Sequence, residues 1–153
     1  MKAVAIVDTS IFLNFVPVPG DDQDREAVLR QFEILAAEDT ALLLPLATLI
    51  ETGSHIADLE DGGQRYKTSV EFRDLAQDAL AGNTPFTPMS MPDKSQLSTW
   101  LNEFPEHAKA GHSLADLSII KEWERQRDRN QGRRVFIWSL DSHLTGYDQK
   151  PTL

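Results

Sequence analysis

The chain has 153 residues, 41% of them hydrophobic, no cysteine and a formal net charge of −9. That length suits one domain around one core, and the missing thiols exclude disulfides, thiolate metal sites and cysteine nucleophiles. With no run of ~18 apolar residues and no apolar leader ending in a small-residue cleavage site, a cytoplasmic protein without a membrane partner is expected.

In chain order, Ala3 to Val7 is apolar without period-two alternation, the pattern of a strand covered on both faces in a parallel sheet. Asp8 follows it and precedes "IFLNF", where an acid can serve as a helix N-cap. Ala27, Val28, Phe32 and Leu35 recur at helical spacing within a helix expected over Asp22 to Ala37. Ala41 to Leu44 is a second strand, closed by Pro45. Helices are expected over Thr48 to Leu59 and Lys67 to Leu80, on either side of a turn at Glu60 to Gly63. On a helical wheel the first of these buries Leu46, Leu49, Ile50, Ile56 and Ala57, which puts Glu51 on the solvent side.

The prolines of "PFTPMSM" suit an edge strand. "PDKSQLSTWLNEF" reads as a helix whose Leu97, Trp100, Leu101 and Phe104 form a stripe for the core. Pro105 to His112 reads as loop, with His112 a surface or capping histidine. The last long helix is expected from near Ser113 to about Arg129, followed by a third buried strand, Val135 to Trp138. Strands alternating with helices define an α/β fold.

Asp8 and Asp141 both follow candidate buried strands, at the sheet edge where α/β proteins bind ligands. Ser113 and Asp116 have capping-box spacing. Asp116 also begins an apolar stripe through Ile120 and Trp123, where an ionised carboxylate needs a partner. Carboxylates in one crevice repel unless something positive neutralises them, and Mg2+ or Mn2+ prefers such oxygen ligands.

Net negative charge disfavours a polyanionic partner, because phosphate binding draws its affinity from lysine and arginine. The basic residues nevertheless concentrate in "WERQRDRNQGRR". Arg125, Arg129, Arg133 and Arg134 there are either part of a solvated face or a contact for a phosphate track.

Four motifs in order, "VDTSIF", "LPLATLIETG", "HSLADLSII" and "VFIWSLDSHL", resemble those of PIN-domain ribonucleases, the class that includes VapC-type toxins of toxin–antitoxin pairs. The resemblance covers nearly the whole chain. It implies a single PIN-like domain over residues 1–153, with three α/β/α layers and a central, mostly parallel sheet of four to five strands. Residues Lys150 to Leu153 would then be a stub of the last strand. It further implies an acidic site of Asp8, Glu51, Asp116 and Asp141 that holds Mg2+ or Mn2+, with Asp8 and Asp116 the main ligands. Ser10 and Ser139 match the positions that accompany the first and last acids. The expected activity is metal-dependent endoribonuclease cleavage of RNA by activated water. An antitoxin and a second copy of the chain are the expected protein partners.

Two other classes compete with this reading. A catalytically silent PIN-like module that binds RNA or protein would retain the same four acids. A phospho-acceptor domain would place an aspartate after its middle strand, where this chain has Pro45.

Overall fold

The computed structural model describes residues 2–152. Its elements are β1 (Val4–Val7), α1 (Thr9–Phe15), α2 (Arg25–Ala37), β2 (Ala41–Leu44), α3 (Leu46–Ala57), α4 (Gly62–Leu80), β3 (Phe86–Pro88), α5 (Lys94–Lys109), α6 (Leu114–Arg129), β4 (Val135–Trp138) and β5 (Asp148–Gln149). The five strands form one mixed sheet in the order β3-β2-β1-β4-β5. The first four are parallel and β5 runs antiparallel to β4.

Strand alternation splits the core between the two faces of the sheet. On one face Ala5, Leu42, Phe86 and Phe136 lie in register and pack with Phe12, Val28, Leu35, Ile56 and Ala79 from α1 to α4. On the other, Ile6 and Ile137 meet Ile119 and Ile120 of α6. Both faces of β1 and β4 are thus covered, which is why these strands read as unbroken apolar runs. Among the described residues no helix is long and apolar enough to cross a membrane.

Several expectations need correction. Helix α3 starts at Leu46, directly after Pro45, and α4 starts at Gly62 because the Asp61 carboxylate caps it through the Gln64 N–H at 2.7 Å. Helix α2 starts at Arg25 rather than Asp22. The expected loop from Pro105 is helical as far as Lys109. Proline removes the N–H that would serve the Leu101 carbonyl, but Leu101 is 50% exposed, so water can take that role.

Helix α5 packs on α6 rather than on the sheet, so its stripe buries only Trp100 and leaves Leu97 and Leu101 exposed. The last strand is Asp148–Gln149, ahead of the expected stub. The Arg134 guanidinium grips both Asp148 oxygens at 3.1 and 3.0 Å and thereby clasps β5 to the start of β4. Leu153, the end of that stub, lies outside the described residues.

Candidate acidic site at the sheet switch point

The chain leaves β1 for β2 on one side and returns as β4 on the other, so the carboxyl ends of β1 and β4 flank a topological switch point. Crevices at such points are the usual ligand sites of open α/β sheets. The Asp8 N–H continues the ladder by donating to the Trp138 carbonyl at 3.0 Å, and this brings Asp8 beside Ser139.

Asp8 is 4% exposed and caps α1 through the Ser10 N–H. Its Oδ2 accepts the Ser10 and Ser139 hydroxyls, each at 2.8 Å. Each serine oxygen in turn accepts a backbone N–H from the segment after β4. Leu140 donates to Ser10 and Asp141 donates to Ser139, both at 2.9 Å. A hydroxyl carries one proton. Both protons are committed to Asp8, so the 3.3 Å approach of the two serine oxygens is a contact and not a further hydrogen bond.

Glu51 reaches the same crevice because α3 is pinned at its first turn. The fully buried Thr48 hydroxyl donates to the Val7 carbonyl at 2.7 Å, and Thr52 donates back to the Thr48 carbonyl at 2.7 Å. The inward face of α3 is therefore Thr48, Thr52 and Ile56, while Ile50 is 61% exposed. This rotates the helix away from the apolar wheel and corrects the expectation that Glu51 is a surface residue. It is half-buried, and its Oε1 accepts the Thr9 hydroxyl at 2.9 Å. Burial pushes the Glu51 carboxyl above its usual range. The Thr9 bond opposes the shift, and the charges of Asp8 and Asp116 add to it.

Asp116 is half-buried at the start of α6 and completes the capping box. It accepts the Ser113 N–H at 3.0 Å, and its own N–H donates to the Ser113 hydroxyl at 3.0 Å. Capping and membership of the acidic group therefore coexist. Asp141 is placed differently. Its Oδ1 accepts the His143 N–H at 2.9 Å, and it lines a second hollow with Asp21, Asp24 and Asn14. Its link to Asp8 runs through Ser139. In that hollow the buried Asn14 amide donates to the Ser10 carbonyl at 2.8 Å, and its Oδ1 has no partner among the described residues.

Asp8, Glu51 and Asp116 each keep one oxygen free of hydrogen bonds among the described residues: Oδ1, Oε2 and Oδ1. No group of three or more histidine, aspartate or glutamate side chains among those residues is placed to hold a metal ion. An open set of hard oxygen donors still suits Mg2+, which keeps several waters and usually takes one or two carboxylates together with substrate phosphates. Beside Glu51 an apolar groove of about 270 Å³ is lined by Ile50, Leu97, Trp100, Leu114 and the edge of Glu122.

The arginine stretch is not part of this site. Arg125 pairs with buried Glu122, and Arg134 pairs with Asp148 and lies 3.8 Å from the Phe136 ring centroid. Arg133 and Arg134 precede β4, whereas the acids lie beyond the opposite ends of β1 and β4. Arg129 closes the far end of α6 from Asp116. Of Arg125, Arg129, Arg133 and Arg134, two are thus engaged internally, and the stretch lies toward the end of the sheet opposite the acids.

Sequence reading also missed Thr9 and Thr48, which orient Glu51. A hydroxyl directly after a buried strand, and one a turn before an acid, were the available signals. No family model, curated protein or solved structure matches this chain significantly.

Proposed function

We propose that this chain is a metal-dependent endoribonuclease with a PIN-like site, in which Asp8, Glu51 and Asp116 hold Mg2+ or Mn2+ and Asp141 assists from the far side of Ser139. The observation that carries this reading is that the half-buried Glu51 of α3 feels the charges of Asp8, which follows β1, and of Asp116, at the start of α6, beside the switch point. Their two negative charges raise the Glu51 carboxyl and the charge of His55 partly offsets them. When bound, the ion would neutralise phosphate charge and activate the attacking water.

The protein's own groups set up that chemistry. Ser10 and Ser139 fix Asp8 with one oxygen engaged and the other open. Thr9 holds Glu51 in the same way. Glu51 retains its proton to higher pH than an ordinary glutamate until a cation replaces that proton. With the arginines elsewhere, recognition of RNA falls to the ion and the crevice walls. Unpaired RNA, whose bases can be splayed out, is the fitting substrate class.

The toxin role of a toxin–antitoxin pair is part of this proposal. The apolar groove beside Glu51 supports it by offering a surface for an antitoxin segment that would block the site.

A silent binding module is the second reading, favoured because no three ligand side chains among the described residues are placed together to hold an ion. Incubation of labelled single-stranded RNA with Mn2+, against an EDTA control, separates the two. The nuclease reading expects cleavage that EDTA, Asp8→Asn and Asp116→Asn each abolish while the variants stay folded. Cleavage by Asp116→Asn at the wild-type rate would refute it.

A further inference from the structure

Three of the chain's four histidines meet at one place outside the carboxylate group. His107 lies in the last turn of α5, His112 just before the Ser113 cap of α6, and His143 in the turn after β4. The first two are half-buried and their Nδ1 atoms stand 3.1 Å apart. Their ring centroids are 5.3 Å apart, and His143 lies 6.0 Å from His112, edge-on at 88°. The backbone holds the pair in place. The His112 N–H donates to the His107 carbonyl at 2.9 Å, and Gly111, at φ +93°, makes the left-handed turn that ends α5.

Two imidazoles bound to one Zn2+ at about 2.0–2.1 Å place their nitrogens about 3.3 Å apart at a tetrahedral angle and about 2.9 Å apart at a right angle. The observed 3.1 Å falls between these values. The tetrahedral arrangement also sets ring centroids about 5.2 Å apart, beside an observed 5.3 Å.

We propose that His107 and His112 form a binding site for an imidazole-preferring divalent ion of the Zn2+ class, with His143 as third ligand after rotation of its exposed ring. Without the ion the contact is a hydrogen bond from one neutral ring, protonated at Nδ1, to the bare Nδ1 of the other. On binding, the donor ring's proton moves to Nε2, so both Nδ1 lone pairs face the ion and the neutral pair releases no net proton. The site is chemically distinct from the hard-oxygen carboxylates and does not depend on nuclease activity. An ion there ties the α5–α6 turn, which leads into Asp116, to the turn after β4, where the His143 N–H bonds Asp141.

The test is titration of the full, tag-free chain with Zn2+ against a chromophoric chelator. One histidine-dependent ion per chain is expected, beside any that the carboxylates take up. Loss of an outer-shell partner alone weakens metal sites by about 10–100-fold, so His107→Gln and His112→Gln should each weaken binding by at least ~10-fold. His55→Gln, which removes the fourth histidine, should bind as wild type, and the Asp8→Asn/Asp116→Asn double variant should keep the histidine-dependent ion. Circular dichroism of each variant checks folding. No Zn2+ binding at micromolar concentration, undiminished binding by folded His112→Gln, or loss of binding in the Asp8→Asn/Asp116→Asn protein would each overturn the proposal.

Discussion

Ser139→Ala removes one hydroxyl that makes two bonds, as donor to Asp8 Oδ2 at 2.8 Å and as acceptor from the Asp141 N–H at 2.9 Å. Asp8 is only 4% exposed, so water replaces the lost donor poorly. A hydrogen bond to a charged group is worth about 1.5–3 kcal/mol. The orphaned Asp141 N–H is nearer the surface and adds little. A total of about 2 kcal/mol is expected, which for a chain of this size lowers Tm by about 4–8 °C. Urea unfolding of wild type and variant gives the free energy directly. In an Asp8→Asn background the acceptor is neutral, so the same serine change should cost about 1 kcal/mol less, and a double-mutant cycle reads that coupling. If Ser139→Ala stays within ~0.5 kcal/mol of wild type, or costs the same in both backgrounds, the serine does not hold Asp8 through its charge.

Two more perturbations follow from charge. Because the folded Glu51 carboxyl titrates above its unfolded range, ionising it costs stability. That cost is absent at low pH, where both states are protonated. It grows as pH rises from the unfolded to the folded value and is complete above the latter. Glu51→Gln should therefore have a higher Tm than wild type at neutral pH without divalent ions, and the advantage should shrink on acidification. An advantage that grows as pH falls would contradict the assignment. Arg134→Met, which breaks the clasp on Asp148, should cost about 1 kcal/mol in thermal unfolding while leaving RNA cleavage unchanged. A selective loss of cleavage would return that residue to the substrate path.

What could be read in advance depended on whether a signal was local. Strands β1 and β4 were legible because burial on both faces writes itself as an apolar run, β2 because its run of leucines is apolar throughout although only Leu42 and Leu44 are buried, and the caps Asp8 and Ser113 because capping is a matter of a few residues' spacing. The inward turn of Glu51 was not, because α3 is held by buried threonine hydroxyls that an apolar wheel does not weigh. Strand β5 is two polar residues secured by a side-chain clasp, with no pattern of its own. The roles of Ser10 and Ser139 depend on contacts spanning about 130 residues, so without a resemblance to suggest them they read as ordinary turn residues. The internal partners of the arginine stretch, Glu122 and Asp148, were hidden for the converse reason, since they become visible only when the chain is folded.

The position of β4 between β1 and β5 also has a kinetic side. Val4 pairs with Val135 across the sheet, so β1 waits for its neighbour on that side until some 130 further residues have been made. At about 5–20 residues per second this is a delay of roughly 7–26 s. Until then Asp8 lacks Ser139, and the wall carrying Asp141 does not exist. A ribosome-bound chain halted before residue 135 can form β1 to β3 and their helices, but it cannot close the acidic crevice. If the chain attacks RNA, translation itself thus withholds the activity from the nascent protein until β4 and the segment after it have been made.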